Sequence, residues 1–181
     1  IALAFREHNV PVLLGGFQVS GGMAMFNEPD RDMRRLMERG VTMVSGEVEA
    51  PGTLDGILRD ALNDSLKPIY RVTETPSILE AAVPAPAPAY LKRFLGRMGT
   101  IDTSRGCPFN CSFCTIINVQ GRKMRHRSAE CMLETIREHY AHGIIYYFFT
   151  DDNFSRSPVW PELFEGLKQL RAEGIDVQFM M

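Results

Sequence analysis

Residues 144–150 read IIYYFFT, an unbroken apolar run flanked by two amphipathic stretches that each end in glycine. A run this short, rich in aromatics and bounded by helix-period segments, predicts a strand of a parallel sheet buried on both faces. Before it, SAECMLETIREHYAHG sets Met132, Ile136 and Tyr140 on one helical face, with Ser128 as N-cap and Gly143 as the stop. After it, WPELFEGLKQLRAEG repeats the pattern through Trp160, Leu163, Phe164, Leu167 and Leu170, and Gly174 closes it before IDVQFMM opens a further strand. With GTIDTS ahead of them, these segments read βαβαβ, which restricts the second half to a barrel or an open parallel sheet.

The first half alternates in the same way. IALAFREHN is a helix, VPVLL a strand broken by the loop glycines Gly15 and Gly16, and PDRDMRRLMERG a helix capped by Asp30 and stopped at Gly40. VTMVSGEVE is a second strand, and GTLDGILRDALND puts Leu54, Ile57, Leu58 and Leu62 on one face. Helices of this length between strands predict a doubly wound parallel sheet, whose ligands sit beyond the carboxyl ends of strands, where Gly15, Gly16, Gly46 and Glu47 fall. Between the halves, Pro76, Pro84, Pro86 and Pro88 in an alanine-rich stretch favour an extended connector. The expected organisation is therefore a domain at 1–75, a linker at 76–98 and a second domain at 99–181. A proline-rich loop packed over one domain is the alternative to the linker. The chain starts without Met, inside a helix, and stops in a strand, and only about 80 residues follow the linker. A complete eight-fold barrel takes roughly 250, so the sequence reads as an internal piece of a longer protein.

A formal net charge of −2 lacks the positive field that non-specific nucleic-acid binding needs. No membrane span or secretory signal is evident. Four cysteines in such a chain suit metal binding or catalysis in a reducing cytoplasm better than a disulfide framework. Three of them, Cys107, Cys111 and Cys114, fall within the eight residues CPFNCSFC. Structural zinc wants four ligands, with Cys131, His126 or His139 as conceivable fourths. An iron–sulfur cluster is held by thiolates on such a loop, and three leave one iron open for chemistry. Pro108 and Asn110 suit a tight loop, and Phe109 and Phe113 can shield a cluster from water.

This CxxxCxxC, placed after a strand and with an aromatic before the last cysteine, resembles the radical S-adenosylmethionine (SAM) enzymes. The resemblance implies a partial TIM barrel, of which this chain holds the first βα units. It also implies a 4Fe–4S cluster on Cys107, Cys111 and Cys114, whose open iron is chelated by SAM. Reductive cleavage of SAM then gives a 5′-deoxyadenosyl radical. Phe113 would lie near the adenine. FTDDNF stands where the family carries a Gly-Gly-Glu-like segment for the SAM amino group, so Asp151, Asp152 and Asn153 are the candidates there. GRKMRHRS, with Arg122, Lys123, Arg125 and Arg127, is open to reading as an anion or donor-protein site or as a solvated basic loop.

A doubly wound domain ahead of such a barrel resembles the cobalamin-binding subclass. Gly15, Gly16, Gly46 and Glu47 would then line the cobalamin groove, although the same glycines also suit plain turns. The DxHxxG segment that supplies an axial histidine in many such domains is not present, and His8 in REHNV does not match it. The subclass implies methyl transfer to an unactivated carbon of a small-molecule substrate, with ring formation or rearrangement as the alternative. It also implies a reducing donor such as flavodoxin or ferredoxin. A non-catalytic iron–sulfur or zinc module using Cys131 is the reading from another class.

Overall fold

The computed structural model describes residues 1–83 and 98–181, so most of the proline- and alanine-rich stretch lies outside the described residues. The chain divides into two compact units. One comprises Ile1–Pro76 with Pro108–Arg122, and the other Ser77–Cys107 with Lys123–Met181.

The first unit is α/β, with three parallel strands in the order β1 (Val12–Leu14), β2 (Val41–Ser45) and β3 (Ile69–Arg71). Helix α1 (Ala2–Glu7) precedes β1, and α2 (Phe17–Phe26) and α3 (Arg31–Glu38) lead from β1 to β2. Helix α4 (Thr53–Leu62) leads from β2 to β3. Asp30 caps α3 as expected, its carboxylate accepting from Met33 N at 2.8 Å. The core gathers Val19 and Met23 of α2, Met33 of α3, and Val41 and Met43 of β2.

Two expectations are corrected here. The stretch after Gly16 is helix rather than loop, and its paired glycines hid it because glycine lowers helix propensity. They serve close packing: a Cβ on Gly21 would stand 3.3 Å from Thr115 Cγ2, and one on Gly22 would stand 2.8 Å from Met33 Cε. On α4 only Ile57 is buried, while Leu54, Leu58 and Leu62 are exposed.

The second unit begins with residues 77–83, in which Ile78 is buried and Val83 packs on the core. Strands β4 (Met98–Ile101), β7 (Tyr146–Phe149) and β8 (Gln178–Met180) pair in parallel in that order. Between β4 and β7 in the chain lie β5 (Ser104–Arg105), paired antiparallel to β6 (Arg125–His126), then α5 (Ile116–Val119), which belongs to the first unit, and α6 (Ala129–Ala141). Helix α7 (Trp160–Ala172) leads on to β8. Ser128 caps α6 through Cys131 N, and Gly143 and Gly174 end α6 and α7 with positive φ, as expected.

Strand β7 departs from the expected two-sided burial. Tyr147 and Phe149 are buried with Met132 and Ile136 of α6 and Leu163, Leu167 and Leu170 of α7. Tyr146 and Phe148 on the opposite face are exposed, because the described residues place helices against one side of this sheet only. The parallel three-stranded order and α/β class agree with the sequence reading.

His139 is 2% exposed at the end of α6, with its ring stacked on Tyr147 and, among the described residues, no hydrogen-bond partner for Nδ1. Burial pushes its pKa below the ordinary value of about 6.5. The unfolded chain therefore takes up the proton first, so stability is full above that value and falls as pH drops through the folded value. Melting temperature should decrease between pH 7.5 and 5.5, and His139→Phe should flatten that slope.

Candidate functional site

Strand β4 ends at Ile101, and the next four residues, Asp102, Thr103, Ser104 and Arg105, deliver the chain to Cys107. Each is held by its side chain. Asp102 accepts from Arg105 Nε at 2.6 Å and from Arg127 Nη2 at 2.8 Å. Arg127 is 2% exposed and also donates from Nε to the Asp102 carbonyl at 2.8 Å and from Nη1 to the Ala81 carbonyl. Burial would raise the Asp102 pKa, but the two guanidiniums outweigh it and hold the carboxyl below its usual range. Arg127 is thus a structural counter-ion and not part of a solvated basic loop. Arg122 donates to Asn110 Oδ1 at 3.1 Å, within the first unit.

Asp151, just past the end of β7, grips the same segment. Its Oδ2 accepts from Thr103 N at 2.9 Å, and its Oδ1 accepts from Thr103 Oγ1 at 2.7 Å and Ser104 Oγ at 2.5 Å. The loop carrying Asp151, Asp152 and Asn153 is bracketed by Phe149 and Phe154, stacked with centroids 5.5 Å apart. Asn153 Nδ2 lies 3.9 Å from Cys107 Sγ, so the triplet and the first cysteine are brought together. Asp152 has its pKa raised by desolvation and then by the charge of Asp151.

All four cysteines are free thiols. Cys107 is buried, Cys114 half-buried and Cys111 exposed. Cys111 and Cys114 lie in the first unit, joined by a turn in which Cys114 N donates to Cys111 O at 3.0 Å. Phe113 is 88% exposed and Phe109 45%. Cys131 is directed at the Ala81 carbonyl, 3.8 Å away, with its pKa raised first by burial. Among the described residues no three His, Cys, Asp or Glu side chains are gathered around a metal-sized position. The donor chemistry fits an iron–sulfur cluster nonetheless: three free thiols within one eight-residue stretch.

In the first unit a cavity of about 370 Å³ opens beyond the ends of β2 and β3. Gly46 and Glu47 line it, whereas Gly15 and Gly16 do not. Ser20, Arg71 and Asn118 contribute further polar groups. Gly46 has φ 99°, donates its N–H to Ser20 Oγ at 3.0 Å, and has no room for a side chain, since a Cβ would stand 2.0 Å from the Val72 carbonyl oxygen. Gly46→Ala should therefore destabilise the unit by about 1–3 kcal/mol from backbone strain alone, measurable as a lower denaturation midpoint. The Ser20 side of this cavity gave no sequence signal because α2 was hidden by its glycines, and Asn118 gave none because it reaches the cavity from α5, far along the chain.

No family model matches the chain. It is similar to bacteriochlorophyllide d C-8(2)-methyltransferase of Chlorobaculum tepidum, 30% identical over 143 residues that make up 76% of this chain and 29% of that protein. It is also similar to hopanoid C-2 methylase of Rhodopseudomonas palustris, 28% identical over 156 residues, 82% of this chain and 26% of that one. A third relative, cytidylyl-2-hydroxyethylphosphonate methyltransferase of Streptomyces wedmorensis, is 36% identical over 76 residues, 41% of this chain and 14% of that one. These homologues are methyltransferases. The chain spans less than a third of the length of each of them. No helix among the described residues is long and apolar enough to cross a membrane.

Proposed function

We propose that this chain is part of a cytoplasmic radical SAM methyltransferase with a cobalamin-binding first domain. The observation that carries the reading is CxxxCxxC on free thiols directly after a β4 exit that the fold holds by four side chains, in a chain whose homologues are methyltransferases. Cys107, Cys111 and Cys114 would hold a 4Fe–4S cluster. When bound, the cluster supplies the electron that cleaves SAM into methionine and the 5′-deoxyadenosyl radical.

The chain's own residues supply position and charge. Asp152, whose carboxyl already lies beside the negative Asp151, is suited to an ammonium such as that of SAM. Asn153 directs its donor Nδ2 toward Cys107, and its Oδ1, which accepts from Ser155 Oγ, keeps a second lone pair as a neutral acceptor. Phe113 offers an exposed ring for the adenine. The parallel order β4, β7, β8 supports reading this sheet as the start of a barrel, with the exposed Met98, Tyr146, Phe148 and Met180 turned toward its interior. Glu47 and Gly46 belong to the cavity that cobalamin would enter. The substrate is a small molecule, and the reductant is a donor such as flavodoxin or ferredoxin.

Electron paramagnetic resonance of the intact protein, reconstituted without oxygen and reduced, tests the reading. A four-iron signal that changes on adding SAM supports it. A cluster signal indifferent to SAM, or zinc in place of iron, would sink it.

A further inference from the structure

The three members of the triplet at the end of β7 do not have the same surroundings. An ionised carboxylate has roughly four acceptor positions, and three on Asp151 are filled by the Thr103 amide and the Thr103 and Ser104 hydroxyls. Thr103 is fully buried and Ser104 nearly so, so water does not compete for these bonds. The segment is tied further by Thr150 N to Ile101 O at 3.0 Å and Arg127 N to Thr103 O at 3.0 Å. Asp152 is exposed, and Asn153 reaches the Cys107 sulfur.

We propose that Asp151 is a positioning residue that locks the root of the cysteine loop at Cys107, and that Asp152 and Asn153 are the members of the triplet that meet SAM. The assignment to SAM rests on the function proposed above; the locking of Cys107 does not. Asp151→Asn is isosteric but turns one oxygen into a donor. Either the Thr103 amide loses its acceptor or the two hydroxyls must reverse from donating to accepting, and in both cases charge-assisted bonds give way to weaker neutral ones.

The test is the alkylation rate of individual cysteines in the metal-free intact protein, followed by mass spectrometry, with iron content and the reduced-cluster signal measured in parallel. Asp151→Asn should expose Cys107 to iodoacetamide about five-fold faster through local opening while Cys131 keeps its rate. Thr103→Val should reproduce this and Thr103→Ser should not, which keeps the test open even if Asp151→Asn does not fold. Cluster-loaded Asp151→Asn should hold less iron but keep its spectral response to SAM. Asp152→Asn should hold iron normally and need about ten-fold more SAM. Cys107 protected as in the wild type in both Asp151→Asn and Thr103→Val overturns the proposal, as does an Asp151→Asn cluster that is complete yet blind to SAM. If the wild-type protein binds no iron, the radical SAM reading fails while Cys107 labelling still decides the locking role.

Discussion

Replacing Asp102 by Ala should destabilise the second unit by about 3–5 kcal/mol, because it leaves the buried Arg127 guanidinium without its counter-ion. The carboxylate is also a partner of Arg105, so a second guanidinium loses one acceptor at the same time. Replacing both charges, as in Asp102→Leu with Arg127→Met, should recover most of the loss, since a buried ion pair gains little over a well-packed apolar pair. The difference between single and double variants, read from denaturant titrations, isolates the uncompensated charge. A single-variant loss below about 1 kcal/mol would place this pair among solvated surface bridges. The folded Asp102 binds its proton less readily than the unfolded one. Its contribution is therefore complete above the ordinary aspartate pKa of about 3.9 and disappears as pH falls through the lower folded value.

The second large effect is on metal content. Cys107→Ala, Cys111→Ala and Cys114→Ala should each abolish retention of a four-iron cluster, whereas Cys131→Ala should retain it, because Cys131 is turned to the Ala81 carbonyl. Iron and sulfide analysis after anaerobic reconstitution checks this directly. Loss of iron in Cys131→Ala would falsify the three-thiolate site and favour the four-cysteine binding module. Cys131→Ala should cost little stability, since the thiol is only partly buried and its hydrogen bond to the Ala81 carbonyl is long.

Much of the architecture was legible because it depends on local chemistry. Asp30 and Ser128 cap the helices they were expected to cap, and Gly143 and Gly174 take the positive φ that stops a helix. Apolar periodicity found β1, β2, β4, β7 and β8 but not β3, whose three residues at Ile69–Arg71 are too few for a period to show. It failed for α2, where Gly21 and Gly22 look like a loop until the side chains they approach are known. It also misjudged α4 and β7, where period identifies a face but not whether anything covers it.

The candidate site divides along the same line. Spacing alone singled out Cys107, Cys111 and Cys114, since three thiols on one loop are a short-range pattern. Asp151, Asp152 and Asn153 were equally legible as a polar strand end, but their separate surroundings were not. Asp151 meets Thr103 and Ser104 across 48 and 47 residues, and Arg127 meets Asp102 across 25. Which carboxylate is consumed by such contacts and which stays open depends on how β4 and β7 lie side by side. The sequence by itself determined the candidate donor set and most of the strand–helix rhythm, both written in near-neighbour spacing. Only the tertiary structure decided which charges serve the fold, because those bonds join residues that only the parallel pairing of the strands brings together.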